Sequence, residues 1–179
     1  MLCNGNAACA DLSARPMFLA MDDIQNAGET PPNPMMRCAF SIVGDDLDPD
    51  KVTQLTGVIP TQSWRRGDAH VAATGVTHKP RRTSAWISYT PTVFSVELPD
   101  LLDGLLDLFE PKRDEVVALL HRSQSRAEFS LHIQMSDQTP IGTISLETLK
   151  RIVAFEADLD VDLYVVDDDY LTERAAGNA

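Results

Sequence analysis

The sequence predicts an α+β domain, a layered fold with a mixed sheet of about four to five strands and helices packed on it. Three observations predict it. After residue 37, runs with period-two alternation are interleaved with runs whose apolar residues recur at three and four. Proline, glycine and aspartate punctuate the joins. The 179 residues are 44% hydrophobic, enough for one domain with a core of its own.

Residues 1–36 read as a poorly ordered leader ending in Gly28-Glu29-Thr30-Pro31-Pro32-Asn33-Pro34. Met17, Phe18, Met21 and Ile24 suggest a turn or two of helix, and Met17, Met21, Met35 and Met36 could each serve as a start. A single domain is expected over 37–170, with a flexible tail over 171–179. Cys38–Val43 is a first strand with Phe40 and Ile42 on one face. Asp46, Asp48 and Asp50 imitate a calcium loop, but Lys51 stands where glycine is needed and Gly57 where the bidentate glutamate belongs. Asp48 is better read as a helix cap, followed by Pro49 in the first position, with Gly57 closing the helix.

Thr61–Asp68 reads as a short edge strand and turn, and 69–83 as a small, polar and basic loop. Ser84–Tyr89 is a second main strand, with Ser84, Trp86 and Ser88 on one face. Helices are expected over Glu97–Phe109 and Lys112–Arg122. Ala127–Met135 alternates, with Phe129, Leu131, Ile133 and Met135 inward and Glu128, Ser130, His132 and Gln134 on a wet face. Ser145 caps a final helix whose core stripe is Leu146, Leu149, Ile152, Val153 and Phe155. Leu159–Val166 is the last strand.

Catalytic signatures are missing. There is no Walker loop, G-x-G-x-x-G, G-x-S-x-G or H-E-x-x-H, so neither an enzyme nor a cofactor is expected. Ser130, His132 and Glu128 share a strand face, but neighbours two apart lack the elbow and oxyanion hole that a serine nucleophile needs. Cys3 and Cys9 have no second ligand pair and are expected to be loose thiols. Cys38 is expected as a small buried hydrophobe. No metal site is expected. No apolar run is long enough to span a membrane and no secretory signal is evident, so a cytoplasmic protein is expected.

Charge is the strongest signal. Net charge is −5 over 1–60, +4 over 61–96 and −11 over 97–179, within a total of −12. Such a field repels nucleic acid and anionic membranes and attracts cationic partners. Two groups of residues stand out as partner-binding candidates. One is Asp158, Asp160, Asp162, Asp167, Asp168 and Asp169, at and after the last strand. The other is Trp64, Arg65, Arg66 and Trp86, residue types enriched at interface hot spots. For the aspartates the competing role is to keep an exposed strand from pairing edge to edge. For the Trp/Arg group it is cation stacking that pins a loop.

Cys38–Asp50 with its Gly44-Asp45-Asp46-Leu47-Asp48-Pro49 core resembles the opening of a bacterial family catalogued as domain of unknown function 4279. Ile59–Asp68 is similar to that family's P-T-x-S-x-x-x-G-like turn, and Ser84–Tyr89 to its aromatic strand. The closing helix and Leu159–Tyr164 resemble its end, so the likeness covers about 37–166. The resemblance implies an α+β fold and no established activity; small acidic domains of this kind often occur as immunity proteins beside bacterial toxins. Together with the charge, it gives the expectation of a non-enzymatic binding protein that neutralises a basic toxin or enzyme, a nuclease fitting best. A nucleic-acid mimic inhibiting a defence enzyme is the first alternative. A small-anion sensor using Arg65, Arg66, Arg81 and Arg82 with His70 and His78 is the second.

Overall fold

The computed structural model describes residues 32–71, 75–98 and 100–177. The expected leader up to residue 31, its amphipathic piece and Cys3 and Cys9 lie outside the described residues. Order is not delayed to residue 37. Strand β1 (Met35–Gly44) already includes Met35 and Met36, both buried.

The sheet is built around β1. Five strands run in the order β2 (Gln62–Trp64), β5 (Ser84–Tyr89), β1, β7 (Arg126–Met135), β8 (Ala157–Val165), and β6 (Val93–Phe94) adds a short sixth against β1. The pairings are antiparallel except β7–β8, which is parallel because α4 (Leu146–Ala154) carries the chain back across the sheet. This is the α+β class that the periodicities predict. The basic loop also carries a small ladder, β3 (His70–Val71) with β4 (Thr77–His78).

One face of the sheet is dry. Phe40 and Ile42 of β1 lie opposite Ser88 and Trp86 of β5, and Phe40 also lies opposite Phe129 of β7. Phe40 is the hub: its ring centroid is 4.5 Å from Phe129, 4.6 Å from Phe109, 5.9 Å from Phe155 and 6.3 Å from Trp86. Each such aromatic pair adds about 0.5–1.5 kcal/mol beyond the area it buries. Helices α1 (Pro49–Thr56), α2 (Leu101–Phe109), α3 (Arg113–Ser123) and α4 close this face with Val52, Leu106, Val116 and Ile152. The α1 caps match expectation. Asp48 accepts the Asp50 N–H at 3.2 Å, and Gly57 takes φ 71°, which costs glycine little. Helix α2 starts later than the periodicity suggests, since Glu97 and Leu98 are bridged in extended form to Ile141.

Two corrections concern the C-terminal half. Residues 168–176 form a helix, α5 (Asp168–Ala176), with Leu171 fully buried, where a tail is expected from 171. In α4 the inward residues are Thr148 and Ile152, followed by Phe155, while Leu146 and Val153 are 68% and 71% exposed. The cause lies in α2. Arg151 reaches Asp103 at 3.1 Å, Asp107 at 2.6 Å and Glu110 at 3.3 Å. The Thr148 hydroxyl donates to Asp103 at 2.9 Å. That polar fork fixes the rotation of α4 and turns its Leu146, Leu149 and Val153 row outward.

Candidate functional site

The second face of the sheet is the expected wet one, and it is only partly so. Ser130 is 4% exposed, and Glu128, His132 and Gln134 are half-buried, because β7 lies between two long strands and α5 crosses this side. Cross-strand register sets Glu128 opposite Asp158, Ser130 opposite Asp160, and His132 opposite Asp162. A parallel register brings these acids beside the histidine; no spacing within the sequence announces it.

One consequence is a hydrogen-bonded chain in the order of a catalytic triad. Ser130 Oγ is 3.2 Å from His132 Nε2, and His132 Nδ1 is 2.9 Å from Asp162 Oδ2. The rest of a nucleophile site does not accompany it. Ser130 is paired on both sides, to Ala39 of β1 and Asp160 of β8, so the backbone N–H groups around its hydroxyl are spent in ladders. The chain instead ties β8 to β7 and holds the half-buried Asp162 carboxylate in place.

The expected aspartates therefore divide. Asp158 and Asp160 are exposed on β8. Asp162 is committed to His132. Asp167 precedes α5, and Asp168 and Asp169 occupy its first turn, where their charge complements the helix dipole. Glu128, absent from the expected set, joins the first group. Its carboxyl is held above the usual range by burial first and then by Asp160, Asp158 and Asp162, against a smaller opposing pull from Arg126. Among the described residues, no three His, Cys, Asp or Glu side chains converge to hold a metal ion.

The tryptophan–arginine group is not one surface. Trp86 is wholly buried on the dry face, and its Nε1 donates to Thr53 Oγ1 at 3.0 Å; it anchors the core, so its assignment to a binding surface is corrected. Trp64 lies opposite Ala85 of β5, on the other face, under the Arg81 guanidinium at 4.0 Å. Arg65 bridges Asp48 at 3.0 Å and Asp50 at 2.6 Å, and Arg66 bridges Asp45 at 3.1 Å. These arginines fasten the turn after β2 to the acidic loop before α1. His70 and His78 stack with centroids 4.7 Å apart, and burial, then Arg81 and His78, lower the pKa of His70. Arg65 and Arg66 are thus spent on these carboxylates, and Arg81 on the Trp64 ring.

Sequence reasoning misses one concavity. A cleft of about 280 Å³ between β1, β7, β8 and α5 is lined by Arg37, His132, Gln134, Tyr164, Tyr170 and Arg174, among others. Arg37 rests over the Tyr89 ring at 4.4 Å. Gln134 Oε1 is buried there without a hydrogen-bond partner among the described residues. Only the tertiary register brings these separated positions together. Elsewhere, burial pushes the Cys38 thiol up to about 12, which leaves it an inert core group.

The outer edge of β8 completes the site. It is the last strand of the sheet, and among the described residues nothing pairs with its far side. Along that edge, exposed Asp158 and Asp160 look to one face and Val161, Leu163 and Val165 to the other, the valine at 165 being 80% exposed. No helix of the described residues is long and apolar enough to cross a membrane.

No curated protein and no solved structure matches this chain. A family model, Domain of unknown function (DUF4279), matches residues 34–166. That span takes in β1 through the end of β8, the whole acidic edge included, and the chain belongs to the DUF4279 family.

Proposed function

We propose that this domain is a non-enzymatic acidic binding protein, an immunity protein that holds and neutralises a cognate basic toxin. The observation that carries the reading is the exposed carboxylate row Asp158–Asp160 on an open sheet edge, backed by Glu128 and Asp162, in a chain of net charge −12. A nuclease is the best-fitting target, because its phosphate-binding groove already presents cations. Steering by such a field speeds encounter and disfavours anionic partners. The test is capture of partners by the tagged chain from its own host, washed at rising salt. A stoichiometric basic protein released by salt supports the reading, and its identity names the activity blocked; an empty column at low salt counts against it.

The mimic alternative needs unpaired charge spread along an extended face, whereas the acids of the loop before α1 and of α2 are paired with Arg65, Arg66 and Arg151. The small-anion alternative fits better in the cleft of Arg37 and Arg174 than in the basic loop. Neither of those two arginines has an ion-pair partner among the described residues. A thermal shift with carboxylates or phosphates that disappears in Arg174→Ala would favour it.

A further inference from the structure

Among the described residues, strand β8 has no strand partner on its outer side, which leaves a row of backbone N–H and C=O groups over nine residues from Ala157 to Val165. Natural edges of that length are normally covered, bent away or guarded by charge. Here the guard is one-sided. Asp158 and Asp160 guard one face, but the opposite face runs Val161, Leu163, Val165, at 43%, 58% and 80% exposure. Helix α4 packs on the same strand, and its Leu146, Leu149 and Val153 row is also exposed. Apolar rows of this extent beside an open edge are more than scattered surface hydrophobes.

The geometry points to strand addition: β8 receives an extended segment of a basic partner whose Lys or Arg residues alternate with Val, Ile or Leu. Backbone pairing would extend the sheet. The cationic side chains would lie on the Asp158/Asp160 face with Glu128 behind, and the apolar ones along Val161, Leu163 and the outer row of α4. Charge complementarity selects this occupant over a second copy. Antiparallel self-pairing centred on Val161 would set Asp160 directly opposite Asp162 of the other chain, and like charges in that position are destabilising. The inference rests on the acidic-docking reading above and specifies its mode.

The probe is an acetylated, amidated nine-residue peptide alternating Lys and Val, set against one of the same composition with all lysines at one end. Backbone amide hydrogen exchange on the full chain reads the location, and titration reads the affinity. Expected are selective protection of β8 amides and binding about tenfold tighter for the alternating peptide, a preference reduced about tenfold by Leu163→Glu. That substitution is at an exposed position, so an unchanged thermal midpoint separates lost docking from lost folding. Equal, salt-sensitive binding of both peptides without β8 protection would overturn strand addition and leave acidic docking standing. Failure of both peptides to bind at low salt would count against both. Protection of β8 by a concentration-dependent homodimer, with no peptide present, would assign the edge to a second copy and overturn the proposal.

Discussion

Replacing Arg151 by methionine tests what sets the face that α4 presents. Methionine keeps the packed stem of a side chain that is 20% exposed and removes the guanidinium, which is bonded to three carboxylates on and just after α2 at 2.6–3.3 Å. Exposed pairs contribute about 0.2–1 kcal/mol each, and the limited exposure of Arg151 places this network toward the upper end. One further penalty follows. Asp103 and Asp107 become uncompensated like-charge neighbours at i,i+4, worth some tenths of a kcal/mol, while Glu110 keeps its pair with Arg113 at 2.9 Å. The sum is about 2–3 kcal/mol, a fall in Tm on the order of 5–10 °C for a domain of this size. Thermal unfolding followed by near-ultraviolet circular dichroism measures it. Arg151→Lys should recover only part, since an ammonium cannot reach three carboxylates in a fork. In 1 M salt the Arg151→Met deficit should shrink, because Asp107 is 73% exposed and easily screened. A deficit below about 1 kcal/mol at low salt would refute the reasoning and leave apolar packing of Ile152 and Phe155 as what orients the helix.

Three further outcomes follow from the same geometry. Trp86→Phe should lower stability by about 1–3 kcal/mol through the lost Thr53 hydrogen bond and the cavity left by the smaller ring, without changing partner affinity in the folded variant; calorimetry and titration together check it. Glu128→Gln should stabilise the domain at neutral pH by about 0.5–1 kcal/mol, by removing a charge that burial, and then the cross-strand aspartates, disfavour. Because the folded pKa of Glu128 is raised, the parent is favoured by protonation, an advantage lost as pH rises through that pKa. The benefit of the glutamine should therefore fade as pH falls toward the ordinary glutamate range, and denaturant titrations at pH 4 and 7 would show it. Finally, a fluorophosphonate should leave Ser130 unlabelled in the folded protein; stoichiometric labelling, read by mass spectrometry, would make the Ser130–His132–Asp162 chain a nucleophile site after all.

Elements governed by local chemistry were legible in the residues. Asp48, Pro49 and Gly57 bracket α1, Ser145 caps α4, and the alternation of Cys38–Val43 marks the central strand. The face of α4 was not legible, since Leu146, Leu149 and Val153 keep the same three-to-four spacing as Thr148, Ile152 and Phe155. The choice rests on Arg151 finding carboxylates more than forty positions away, on and just after α2. The burial of Trp86 was not legible either, because it depends on which face of the strand the helices cover. The acidic run 167–169 conceals a helix start, as α5 has few apolar residues to give it a period, Leu171 being the buried one. In the site itself Asp158 and Asp160 were legible as charge. The pairing of Asp162 with His132 and the raised pKa of Glu128 required the parallel register of β7 and β8.

The most direct test of the account is calorimetric titration of the captured basic partner against the parent chain and the Asp158→Lys/Asp160→Lys variant, at 50 mM and 500 mM salt. Both positions are exposed, so the fold should survive the change. Reversing two charges at a docking edge is expected to cost about 1–1.5 kcal/mol apiece, a loss of roughly 30- to 150-fold in affinity at low salt that narrows at high salt. Equal affinity of the two proteins at both salt concentrations would contradict the claim that this acidic strand edge is where the partner binds.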